Sequence, residues 1–501
     1  MAQHNRMKIG LALMVTFLGH ASLAETPLRI AYGSTPAGRN NPHDSASITR
    51  LWYYAAVYDA MTYITHDGTL EPWLALSWAQ ETPTSWVFRL RSDVSFSDGR
   101  PLRAQDVVDN IMYLTSAGGR TEPVATSVAG VSAASARDEL TVHLTTTRPD
   151  PMLPRKLSLV RIATLPKGTS FTHEALIASA IGTGPYKADT WRASDVKFSA
   201  VRGAWRKAPT QKLEAISAPE AINRRNALTT GRVDLAMAAF DPLDAADSTS
   251  LPYAINVEQL PAIVGMAYNT KQSVPLRDVR VRQAIDLAVN KSRIVSTLFA
   301  GLAKEATQPA RREFFGFDPA LTATPYDPSR AKALLAEAGY KDGFTMTMTL
   351  TSGATVWDQV FQAVAADLSK VGIKLTIAMA PEPTVAAYQF TQGFPTDAFG
   401  ATYFSPAFDA LDVMRQHSCA WPVAWYCDET TTALIDRAQN EADLKTREDL
   451  TRQIMRRAHD TAQGMFMYES IGFTGYNRRI SNFRSDFHFI RYELMTVAEP
   501  K

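Results

Sequence analysis

Short strand-like runs alternate with amphipathic helices along the whole chain, and this alternation constrains the fold more than any other feature. Leu28–Tyr32 reads as a first strand. Ser85–Leu90 places Trp86, Phe88 and Leu90 on one face, as a half-buried strand does. A turn at Asp98-Gly99 follows, then a helix over Ala104–Leu114 and a strand over Leu140–Thr145. Asp278 is placed to cap a helix whose Val281, Ala284, Ile285 and Ala288 form an apolar stripe. Asp327-Pro328 supplies an N-cap and a proline at the first helical position, and Gly339 ends that helix. Trp357–Val371 carries Val360, Phe361, Val364, Leu368 and Val371 in helical phase, stops at Gly372, and leads into a strand over Ile373–Ala378. Asp443 opens a long amphipathic helix through Ala462. The pattern predicts a mixed α/β protein with at least two cores. The 501 residues are about three times a typical domain of ~150 residues. No repeat or long linker divides them, so the domains are expected to exchange strands.

Residues 1–24 read as an export signal rather than as fold. Arg6 and Lys8 precede an apolar run from Ile9 to Leu18, and Ser22-Leu23-Ala24 is a small-x-small cleavage pattern. The run is too short to span a bilayer, which takes ~20 residues of helix. Cleavage after Ala24 leaves 477 residues with 50 basic and 50 acidic side chains. A neutral chain has no electrostatic footprint for nucleic acid. The mature protein is expected in the periplasm, where Cys419 and Cys427 are oxidised. They predict one local disulfide. A zinc site needs about four ligands, and only His417 stands nearby.

Catalytic motifs are missing. There is no P-loop, no Gly-x-Ser-x-Gly elbow and no His-Glu-x-x-His. Gly182-Thr183-Gly184 lacks the third glycine of a dinucleotide fingerprint, and Pro185 breaks the helix that would have to follow. The seven mature histidines are scattered. No cofactor and no metal is expected, and a binding protein is favoured over an enzyme.

Several blocks then coincide in order. They are Leu70-Glu71-Pro72-Trp73-Leu74-Ala75, Trp86 to Arg91 with Phe96-Ser97-Asp98-Gly99, and Gly182-Thr183-Gly184-Pro185-Tyr186. Tyr268-Asn269-Thr270 follows, then Asp278 to Ala284, Ala288-Val289-Asn290-Lys291, and Tyr326-Asp327-Pro328 with Ala338-Gly339-Tyr340. Together they resemble the extracytoplasmic solute-binding proteins of family 5, the group of dipeptide-, oligopeptide- and nickel-binding proteins of ABC importers. The likeness covers essentially the whole mature chain.

The resemblance implies an α/β, two-lobed periplasmic-binding-protein clamp of class II, cluster C type. Lobe I would hold residues 25–261 with an inserted subdomain at about 49–166. Lobe II would hold 262–469, and 470–501 would return to lobe I. Strands near Ile263–Tyr268 and Met465–Tyr468 would form the hinge. The implied function is capture of a small solute, by default a short peptide or peptide-like compound, and its delivery to ABC permease subunits by a monomeric carrier. The same fold implies a non-peptide alternative: an opine, an oligosaccharide, a chelated metal or heme. A secreted hydrolase is the remaining class, and no nucleophile–base constellation supports it.

By the same resemblance, Tyr32, Gly33 and Ser34 lie at the cleft, as do Tyr403 and Phe404. Asp409 is the best match to the aspartate that receives a peptide's ammonium group, although Ala410 replaces the usual proline; a helix cap is the other reading. The arginine that holds the ligand carboxylate in dipeptide binders has no counterpart before the helix at Trp357. Arg311 and Arg312 are therefore the candidate anion site, with two solvated loop arginines as the alternative.

Overall fold

A computed structural model describes residues 26–33, 40–44, 51–352, 355–487 and 489–499. The leader at 1–24 lies outside these residues. Ten strands form one sheet in the order 186–191, 195–200, 212–217, 28–32, 235–236, 464–477, 253–268, 398–404, 344–351 and 373–380. Two long neighbours, Tyr253–Tyr268 and Gly464–Asn477, carry the sheet from one half of the molecule to the other. They pair antiparallel in two stretches, from Tyr253↔Asn477 to Gln259↔Ile471 and from Ile263↔Glu469 to Ala267↔Gly464. Between Gln259 and Ile263 the register is interrupted.

Each half has its own core, because helices cover the apolar faces of its part of the sheet. One core gathers Leu28, Trp52, Phe88, Val107, Phe198 and Leu213, and takes in Ile480, Ile490 and Tyr492 from the end of the chain. It includes a separate four-stranded sheet over residues 75–82, 85–90, 141–146 and 131–138, with the helix Ala104–Thr115. The other core gathers Met266, Val281, Ile285, Leu335, Met348, Val360, Phe361 and Leu368. A smaller cluster joins Ile64 and Phe487 to Phe314, Phe408 and Tyr403.

Local signals act as the sequence indicates. Asp278 caps Val279–Ala288 by accepting from Arg280 N, Asp327 caps Pro328–Glu337, and Asp443 caps Leu444–Asp460. Gly339 closes its helix at φ +88°, a conformation that costs glycine little. Gly182 and Gly184 serve close packing. A Cβ at Gly182 would stand 1.9 Å from Val57 O, and Gly184 N–H donates to that carbonyl at 2.9 Å. Between them Thr183 Oγ1 donates to buried Asp59 at 2.7 Å, which is also paired with Arg206.

Candidate functional site

The strand Ala398–Phe404 frames the site. One edge pairs along its whole length with Ala262–Tyr268. On the other edge, among the described residues, Ala398 and Phe399 are paired with Met348 and Thr349. Past that point the pairing with Phe344–Thr351 ends, and among the described residues Ala401–Phe404 have no strand partner on that side. That edge lines a cavity of about 280 Å³ with Thr351, Trp357, Gln389, Phe390, Asp412 and Trp425. Trp357 also lines a second cavity of about 740 Å³ whose opposite wall is Glu220, Ile222, Arg224 and Phe240 from the first half. The two cavities share Trp357, and the larger is lined from both halves.

Disulfide Cys419–Cys427 forms, with the Cα atoms 4.5 Å apart. Its loop carries Trp425 against Phe399, edge to face at 5.0 Å, and Phe399 stacks on Phe394 at 3.6 Å. The loop thus supplies one wall of the smaller cavity. His417 and Tyr403, both buried, line it as well, their rings 5.7 Å apart. Burial depresses the His417 imidazole to about 4, so it is neutral at physiological pH.

The structure corrects several sequence expectations. Asp409 is buried, and its carboxylate is committed: Arg447 donates to it at 2.5 and 3.3 Å, and Oδ1 caps Leu411 N–H at 3.0 Å. It is a helix cap and half of a buried ion pair, 1% exposed. A buried carboxylate is tolerable only with such a partner. Arg311 is also buried. It reaches Gln259 Oε1 at 2.7 Å, Ser470 O at 2.9 Å, Glu313 at 3.0 Å and Glu469 at 3.1 Å. These partners span the register interruption, so Arg311 ties the two long strands together and is neither an anion site nor solvated. Arg312 is exposed and lines a different cavity of about 570 Å³, where Glu305, Glu448 and Glu469 oppose its charge and that of Arg452. Tyr32 is core: its ring packs on Trp52 at 4.4 Å. Gly33 is exposed next to Arg224, whose Nη1 is 3.7 Å from where a Cβ would stand. Ser34 lies outside the described residues. Tyr403 and Phe404 both line the smaller cavity.

Two residues that pattern reading passed over stand out. Trp357 is in phase with the apolar stripe of its own helix, which disguised it as core. Asp412 lies three residues after Asp409 and faces the cavity. Among the described residues its hydrogen bond comes from Ser405 Oγ at 3.3 Å. Burial, then the neighbouring Asp409 carboxylate, push Asp412 up to about 6, against a weaker opposing pull from Lys156, Arg415 and Arg447.

No described helix is long and apolar enough to cross a membrane. The sequence model for bacterial extracellular solute-binding proteins, family 5 Middle, matches residues 69–417. The nickel-binding periplasmic protein of Escherichia coli K12 is 27% identical over 488 residues, covering 91% of each chain. The dipeptide-binding protein of the same strain is 26% identical over 533 residues, covering 96% of each. The structure of NikA from Brucella suis in complex with Fe(III)-EDTA superposes with a TM-score of 0.82 at 22% identity, over 95% of this chain and all of that one.

Proposed function

The chain belongs to family 5 of the bacterial extracellular solute-binding proteins, and on that premise we propose that it captures a short peptide in the periplasm and delivers it to an ABC importer. The observation that carries the peptide reading is the open edge at Ala401–Phe404. An extended peptide adds to such an edge as one more strand, so main-chain hydrogen bonds supply affinity whatever the side chains are. Asp412 takes the amino terminus. An ammonium group beside it relieves a carboxylate that burial and Asp409 both disfavour.

The lobes meet at residues 261–262 and 469–470, where the long strands break register and Arg311 cross-ties them. Bending there closes the 740 Å³ cavity over the ligand, the hinge closure that separates loaded from empty carrier. Residues 1–24 are the cleavable export signal. Amino-terminal sequencing of the exported protein would start at Glu25; a start at Met1 contradicts this.

A thermal-shift panel tests the reading, since a ligand that binds only the native state stabilises it by mass action. Di- to tetrapeptides with free amino termini raise the melting temperature, and their N-acetylated forms do so far less. A panel in which no peptide shifts the transition, while an opine, sugar, heme or metal chelate does, rejects it.

A further inference from the structure

We propose that the preferred peptide carries an aromatic side chain, which seats between Trp357 and Phe390 in the 280 Å³ cavity. The inference rests on the peptide reading and narrows it to a ligand class.

The cavity is walled by rings, with Trp357, Phe390, Phe399, Phe404 and Trp425 all lining it. Its back wall is rigid. Phe399 is held between Phe394 and Trp425, and the disulfide closes the loop that carries Trp425. Its front is unfinished. Phe390 is 52% exposed, although a large ring held out at a cavity mouth forgoes the burial that would stabilise it. The ring stands on a π-helical turn, Tyr388–Gln392, which ends at Gly393 with φ +84°. Such irregular turns recur at functional positions, because they re-aim a side chain that a regular helix would point elsewhere.

Trp357 is positioned by what it faces. A Cβ at Gly400 would stand 3.4 Å from the indole and 2.5 Å from Leu350. The missing side chain lets the indole pack on the face of the strand at Gly400, one residue before the open edge begins. Side chains of an extended ligand alternate in direction, so one of two adjacent side chains enters the aromatic wall and the other faces away.

The polar groups at the rim also discriminate. Gln389 Nε2 donates to Gln416 Oε1 at 3.0 Å, so both amides are oriented, and Asp412 is the carboxylate lining the cavity. An anionic side chain would be repelled by Asp412 and desolvated against rings. An aliphatic side chain would fill space without the edge-to-face or stacked contacts that Trp357 and Phe390 offer. Each such contact is worth a few-fold to about tenfold in affinity.

Calorimetric titration of the wild-type protein with Phe-Ala-Ala, Ala-Phe-Ala, Ala-Leu-Ala and Ala-Ala-Ala tests this. One phenylalanine peptide is expected to bind at least tenfold tighter than Ala-Ala-Ala and several-fold tighter than the leucine peptide. In Phe390→Ala that ratio falls to threefold or less. Phe390 is exposed, so the variant should fold, and its melting curve checks that. Equal affinities for phenylalanine, leucine and alanine peptides overturn the aromatic preference and leave the peptide reading standing. A preserved ratio in Phe390→Ala overturns the assignment of the ring to this wall. No binding of any of the four overturns the peptide reading and this inference with it.

Discussion

Replacing Asp412 by asparagine should make the ligand-free protein more stable and the carrier worse. The carboxylate is raised from 3.8 to about 6 by burial and by Asp409. At about 1.36 kcal/mol per pH unit, that displacement corresponds to roughly 3 kcal/mol held against the ionised form. Asp412 is half-buried and meets water at the cavity, so we expect about 1–2 kcal/mol of it to appear as stability. Asparagine keeps the shape and can still accept from Ser405 Oγ. The sign follows from linkage. A carboxyl group whose folded value is raised binds its proton more tightly in the native state, so the penalty is full above pH ~6 and gone below pH ~4. Asp412→Asn should therefore melt a few degrees higher than wild type at pH 7.5 and level with it at pH 4. Paired melting curves at the two pH values measure this. An Asn variant that is no more stable at pH 7.5, or whose gain is the same at both pH values, refutes the claim that Asp412 is a frustrated carboxylate awaiting a cation.

The same group makes binding pH-dependent. Because an ammonium ligand needs the ionised carboxylate, affinity should fall about tenfold from pH 7 to pH 5 in wild type, and stay flat in Asp412→Asn; calorimetry at the two pH values reads this. Arg447→Met strands Asp409 in the core beside Asp412 and should cost about 3–5 kcal/mol, seen as a large drop in melting temperature that Asp409→Leu on the same background partly restores. The double variant Cys419→Ser/Cys427→Ser opens an eight-residue separation, worth at most about 2.5 kcal/mol by loop entropy. It should weaken aromatic peptides more than Ala-Ala-Ala, because it loosens the Trp425 wall; equal loss for both would detach the loop from the site.

Much of the fold was legible because its signals are local. Caps at Asp278, Asp327 and Asp443, the glycine stop at Gly339 and the helical stripe from Val360 to Val371 each act within a few residues. Ser85–Leu90 declares itself by alternating apolar residues, and Leu28–Tyr32 reads as a short strand-like run. The site was less legible because its decisive features are non-local. Nothing near Arg311 in sequence says that Gln259, Ser470 and Glu469 will surround it. Asp409 and Asp412 look alike in a string, and only the position of Arg447 on a distant helix decides which one is satisfied. Trp357 obeys the period of its helix and still reaches the cleft, because the strand opposite offers Gly400. An open strand edge also leaves no residue-type signature, since it is made of main chain.

Native mass spectrometry of the freshly purified protein, followed by gentle denaturation to release and sequence what is bound, tests the central claim most directly. A peptide of a few residues with a free amino terminus and at least one aromatic side chain is the expected release. Release of an opine, an oligosaccharide, heme or a metal chelate in place of a peptide would contradict the claim.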